Sequence, residues 1–94
     1  MASIMQYHNH LLQALRTPRG LSFGAWQMLP GRNVSRSLCQ PGYDWVLIDT
    51  EHGNIDDGAM HEAVSAISSM GAQSPIVRIP AGEGWMIKRA FPYE

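Results

Sequence analysis

Scarcity is the most informative feature of this chain at first sight. Cysteine occurs once, as Cys39, so no disulfide can close within the chain. That excludes a stapled secreted scaffold and fits a reducing compartment, with the cytoplasm as the expected location. Charge of one sign is equally scarce: seven Lys and Arg stand against eight Asp and Glu, a net charge of -1. A nucleic-acid surface and an anionic membrane surface are therefore not expected as partners. No apolar run approaches the ~18 residues of a membrane span. The opening "MASIMQYHNHLLQALR" also lacks the basic head and continuous apolar stretch of a signal peptide. Repeats and low-complexity tracts are missing too, so a solenoid is not expected.

What remains is one small domain of 94 residues with an ordinary apolar share. A chain of this size buries roughly 60 to 70% of its unfolded surface, enough for a modest core. Along it, strand-like and helix-like segments alternate. Residues 7–16 read as a helix ended by the Thr-Pro-Arg-Gly breaker at 17–20, and "LSFGAWQML" (21–29) reads as a strand stopped by Pro30 and Gly31. Asn33 or Ser35 is expected to cap a short helix running to about Gln40, before Pro41 and Gly42. "WVLI" (45–48) is a second strand with no polar alternation, so both of its faces are expected to be covered, as in parallel sheets.

The clearest helix follows. Met60, Ala63, Val64 and Ile67 recur at helical spacing, Asp56 and Asp57 favour the positive end of the helix dipole, and Gly71 is a natural stop. "SPIVRIP" (74–80) is a third strand, and "AGEG" leads into a last helical start at 85–90. Strands alternating with helices predict an α/β fold with about three parallel strands and right-handed crossovers.

Such folds carry their chemistry where strands end, since the βα loops there vary while the strands hold them. "WVLIDTEHG" (45–53) places Asp49, Glu51 and His52 at that edge of the second strand, and Arg78 lies near the same edge of the third. A histidine is suited to proton transfer near neutral pH, and a carboxylate three residues earlier can hold its ring. Arg78 interrupts an apolar strand. Its guanidinium is either neutralised by a structural carboxylate or set to grip an anionic ligand in bidentate fashion. Glu51 is a candidate metal ligand, or an acceptor for metal-bound water. His8 and His10 have metal-like spacing but no carboxylate or thiol beside them, so they read as surface residues. Cys39 reads as a small buried hydrophobe, and the glycines of "AGEGW" as a tight turn rather than an anion cradle.

"FGAWQML", "GYDWVLIDTEHG" and "PIVRIPAGEGWMIKRA", in that order, resemble the HpcH/HpaI aldolase family of class II pyruvate aldolases over about 21–90. The resemblance implies the N-terminal part of a (β/α)8 TIM barrel, with 1–20 as lead-in and 91–94 as a divergent tail. It implies a metal-dependent carbon–carbon lyase that cleaves 4-hydroxy-2-oxo acids to pyruvate and an aldehyde, with Mg2+, Mn2+ or Co2+ as cofactor. In that picture His52 transfers protons with Asp49 close to it, Arg78 grips the pyruvate moiety and steadies its enolate, and Trp26 walls the pocket. Glu51 acts through water beside the metal. A full barrel takes about 250 residues, so the chain is expected to be truncated, and the family's two direct metal ligands fall on later strands. Family members are commonly homo-oligomers. Two readings therefore stand: an aldolase represented by its first part, or a non-catalytic fragment that pairs its open sheet edges with another chain.

Overall fold

The computed structural model describes residues 9–16 and 21–90. Tyr7, His8, the breaker at 17–20 and the tail at 91–94 lie outside the described residues. In chain order the elements are α1 (His10–Arg16), β1 (Gly24–Gln27), α2 (Arg32–Leu38), β2 (Trp45–Asp49), α3 (Asp57–Met70), β3 (Ser74–Arg78) and α4 (Gly84–Ala90). The strands form one parallel sheet in the order β1-β2-β3, so the chain is three successive βα units of the kind that builds a (β/α)8 barrel.

Register limits the strands more tightly than composition does. β1 pairs with β2 from Gly24↔Trp45 to Gln27↔Ile48, so only four residues of the apolar 21–29 stretch are strand. Phe23, Met28 and Leu29 flank it as exposed residues. In β3, Ser74 N donates to Asp44 O and Arg78 O accepts from Thr50 N, which turns those residues toward β2. By alternation Pro75 faces the open edge, where its missing N–H costs no ladder hydrogen bond.

The core lies between the sheet and the helices. Val46 and Ile48 of β2 pack with Ile55 and with Met60, Ala63 and Ile67 of α3, all buried. Helix α3 has both expected ends: Asp56 caps it by accepting from Ala59 N at 2.8 Å, and Gly71 closes it in the left-handed region at φ 82°. Helix α2 does not have the expected cap. Its N-cap is Gly31, at φ 123° with no side-chain cap, while Ser35 lies inside the helix and is fully buried. The Ser35 hydroxyl donates to Gln27 Oε1 at 2.8 Å, so the serine joins α2 to β1 instead of capping.

The expectation that both faces of β2 are covered holds for one face only. Val46 and Ile48 are fully buried against helices, whereas Trp45 and Leu47 are half-buried on the opposite face, which they share with Asp49. Helix α1 reaches the amino end of that face, where Leu11 N donates to the hydroxyl of Ser74, the register partner of Trp45, at 3.1 Å. The Trp45 ring itself lies flat over Gly24, where any side chain would overlap it.

Candidate functional site

Asp49 ends β2 and Arg78 ends β3, and the two are direct partners in register. Their side chains therefore leave the same face at the same carboxyl edge. Arg78 Nε donates to Asp49 Oδ1 at 3.0 Å and Nη2 donates to Oδ2 at 2.5 Å, a bidentate pair. Trp26, on β1, donates its indole N–H to Asp49 Oδ2 at 3.0 Å, and the guanidinium carbon of Arg78 lies 5.2 Å from the centre of the Trp26 ring. Each strand thus contributes one member of a single cluster.

The loop after β2 completes it. The backbone N–H groups of Glu51 and His52 both donate to Asp49 Oδ1 at 3.0 Å. Asp49 is fully buried, yet its carboxylate receives five N–H donors. The Arg78 guanidinium, foremost, holds its carboxyl well below the usual carboxylate range; burial opposes this, and the His52, Trp26 and Glu51 N–H groups assist. Asp49 is therefore an anchor that stays ionised, not a proton carrier near neutrality. Arg78 is held charged by the same pairing. Asp49 occupies Nε and Nη2, and among the described residues Nη1 has no hydrogen-bond partner.

The structure corrects one relationship. The carboxylate three residues before His52 does not hold its ring: Asp49 is spent on N–H donors beneath the loop and takes only the His52 backbone N–H. The ring contacts Glu51 instead, with Nε2 lying 2.8 Å from Glu51 Oε1 and a side chain 64% exposed. A carboxylate at Nε2 selects the tautomer protonated there, which leaves Nδ1 with the lone pair.

The donors also bear on the implied metal. Among the described residues no three His, Cys, Asp or Glu side chains converge to hold an ion. Both Asp49 oxygens are taken and Glu51 faces His52, so the described residues do not by themselves fit a divalent cation. Outside the site, His10 Nε2 donates to Gly71 O at 2.7 Å, tying α1 to the end of α3. The Cys39 thiol donates to Ser35 O at 3.4 Å, and burial pushes its pKa up, away from the reactive thiolate.

Sequence reasoning missed Thr50, whose hydroxyl donates to Arg78 O at 2.6 Å and whose N–H donates to the same oxygen at 3.1 Å. It also missed Asn54, whose N–H donates to Met28 O at 2.8 Å. Both are contacts to a neighbouring strand end, and nothing in "TEHGN" names that partner.

No family model matches the chain. The chain is 40% identical, over 70 residues, to a hydroxypyruvate/pyruvate aldolase of Paraburkholderia phytofirmans, covering 73% of this chain and 27% of that protein. It is 37% identical to a 2-dehydro-3,6-dideoxy-6-sulfogluconate aldolase of Pseudomonas putida, covering 72% of this chain and 26% of the relative. Its backbone matches the crystal structure of a HpcH/HpaI aldolase/citrate lyase family protein from Burkholderia cenocepacia with TM-score 0.76 and 36% identity, covering 87% of this chain and 32% of the other. The chain thus spans about a third or less of the relatives that it matches.

Proposed function

We propose that this chain, which belongs to the HpcH/HpaI aldolase family over the residues it shares with these relatives, carries the oxo-acid-binding part of a carbon–carbon lyase. The substrate class is a 4-hydroxy-2-oxo acid, cleaved to pyruvate and an aldehyde. The observation that carries this reading is the Asp49–Arg78 pair at adjacent strand ends, with the Arg78 Nη1 N–H groups left over and Trp26 behind the guanidinium.

A guanidinium fixed along one edge offers its other edge to a carboxylate or an enolate oxygen without first ordering a flexible chain. His52 is the base: it takes the proton of the substrate's 4-hydroxyl, the O–H electrons form the aldehyde C=O, and the C3–C4 bond electrons pass to the oxygen at C2 as an enolate. Arg78 steadies that charge as it develops, and protonation at C3 gives the pyruvate methyl group. Glu51 orients the imidazole, and Trp26 walls the pocket. Mg2+, Mn2+ or Co2+, when bound, supplies Lewis-acid polarisation of the keto oxygen, and its ligands would have to come from beyond the described residues. No described helix is long and apolar enough to cross a membrane.

The test is deuterium incorporation into the methyl group of pyruvate in heavy water with Mn2+, followed by proton NMR. The chain should accelerate exchange above Mn2+ alone, and His52→Ala and Arg78→Lys should each lower that acceleration by at least about tenfold. Exchange no faster than with the metal alone would remove the catalytic reading. A second reading then takes its place, favoured by the half-buried Trp45, Leu47 and Ile76 on the sheet face away from the buried core cluster and by the outer positions of β1 and β3. In it, the chain is a non-catalytic piece that pairs with another chain, for example a full-length relative.

A further inference from the structure

The turn between β2 and α3 touches the ends of all three strands. Thr50 binds Arg78 O on β3 through its N–H at 3.1 Å and its hydroxyl at 2.6 Å. Glu51 and His52 bind the Asp49 carboxylate of β2 through their amides. Asn54 N–H reaches Met28 O, just past β1, at 2.8 Å. Gly53 sits between the second and third of these ties. A Cβ on Gly53 would overlap the Asp49 carbonyl oxygen and would lie 3.1 Å from Met28 Cα and 3.2 Å from Met28 O. All three are backbone atoms, which cannot rotate away as the tip of a side chain can. The requirement is one of space, since Gly53 is not among the glycines with positive φ. Gly82, by contrast, has no atom within 4 Å of a built Cβ and no positive φ.

We propose that Thr50 and Gly53 are positioning residues that clamp this turn across the three strand ends, so that the Glu51 and His52 amides reach Asp49 and the His52 imidazole is held over the carboxyl edge. The use of that imidazole rests on the aldolase reading, but the clamp itself does not. Thr50 holds the turn to the strand that bears Arg78, and Gly53 lets the chain pass between Asp49 and Met28 with no side chain in the way. The imidazole and the guanidinium are then referenced to one frame, and loosening either tie moves one relative to the other.

The experiment is amide hydrogen exchange by NMR on the full chain and on Gly53→Ala, Thr50→Val and Gly82→Ala, with pyruvate methyl deuteration measured on the same samples. In the parent chain the Glu51 and His52 amides should exchange at least about tenfold more slowly than those of Gly82 and Glu83, because they are bonded to a buried carboxylate. Gly53→Ala should erase that difference, and Thr50→Val should reduce it at least threefold, on the order of one lost hydrogen bond. Gly82→Ala should leave it unchanged. Deuteration should fall by about tenfold in Gly53→Ala, in line with the cost of misplacing a reacting group. Parent amides as fast as those of Gly82, or slow amides preserved in both Thr50→Val and a folded Gly53→Ala, would overturn the clamp. If Gly53→Ala does not fold, Thr50→Val decides the matter by the same criterion. Slow parent amides without deuteration would uphold the clamp and count only against the aldolase reading.

Discussion

Asp49 shows how neighbours decide a residue's task. A buried carboxylate alone would favour its neutral form, but Arg78, Trp26 and two loop amides reverse that preference. The sign of the pH effect follows. Because its carboxyl is held below the ordinary range in the folded chain, Asp49 contributes stability that is complete above about pH 4, the unfolded carboxylate value, and drains as pH falls toward its depressed folded value. Asp49→Asn should flatten the part of the acid-unfolding curve below about pH 4, measured by circular dichroism. It should also lower pyruvate deuteration by about 10- to 100-fold, as loss of an orienting partner does. An unaltered acid limb would show that Asp49 is not held ionised. These contacts were only partly legible beforehand. The letters of "DTEHG" named the right residue types, but they did not reveal that the His52 ring turns to Glu51 while Asp49 faces inward toward Arg78.

Elements were legible where periodicity and caps agreed. Helix α3 carries Met60, Ala63 and Ile67 on its buried face, with Asp56 and Gly71 at its ends, so its pattern, start and stop coincide. Helix α2 is seven residues long and lacks a side-chain cap, and its one informative serine is spent on Gln27 of β1, a tertiary contact that no local signal encodes. Strand β1 was overestimated for a related reason, since its length is set by its register with β2 and not by its own apolar run. Two substitutions test this ranking of elements. Ile67→Ala removes a fully buried side chain from the main cluster and should cost about 2–5 kcal/mol in urea unfolding. Ser35→Ala removes one buried hydrogen bond and leaves Gln27 Oε1 without its donor, a loss of about 1–3 kcal/mol. Equal costs for Ile67→Ala and for a change at exposed Met70 would contradict the assigned core.

At the scale of the whole molecule, three βα units bring residues far apart in sequence to one edge of one sheet. Trp26 and Asp49 are 23 positions apart, and Asp49 and Arg78 are 29 apart, yet all meet at a single carboxylate. The parallel order made that convergence foreseeable from the sequence, because it requires every strand to end on the same side. That Trp45 and Leu47 are only half-buried was not foreseeable, since an unbroken apolar run looks the same whether one face or both are fully covered. The central claim is that Trp26, Asp49 and Arg78 form one prepared anion site. The most direct test is a titration of the full chain with pyruvate, followed by the NMR signals of the Trp26 indole N–H and the Arg78 Nε–H. The account predicts that both signals shift along one saturable curve, and that Arg78→Lys abolishes the saturable shift of the Trp26 signal. Signals that stay fixed at saturating pyruvate, or that follow two unrelated curves, would contradict it.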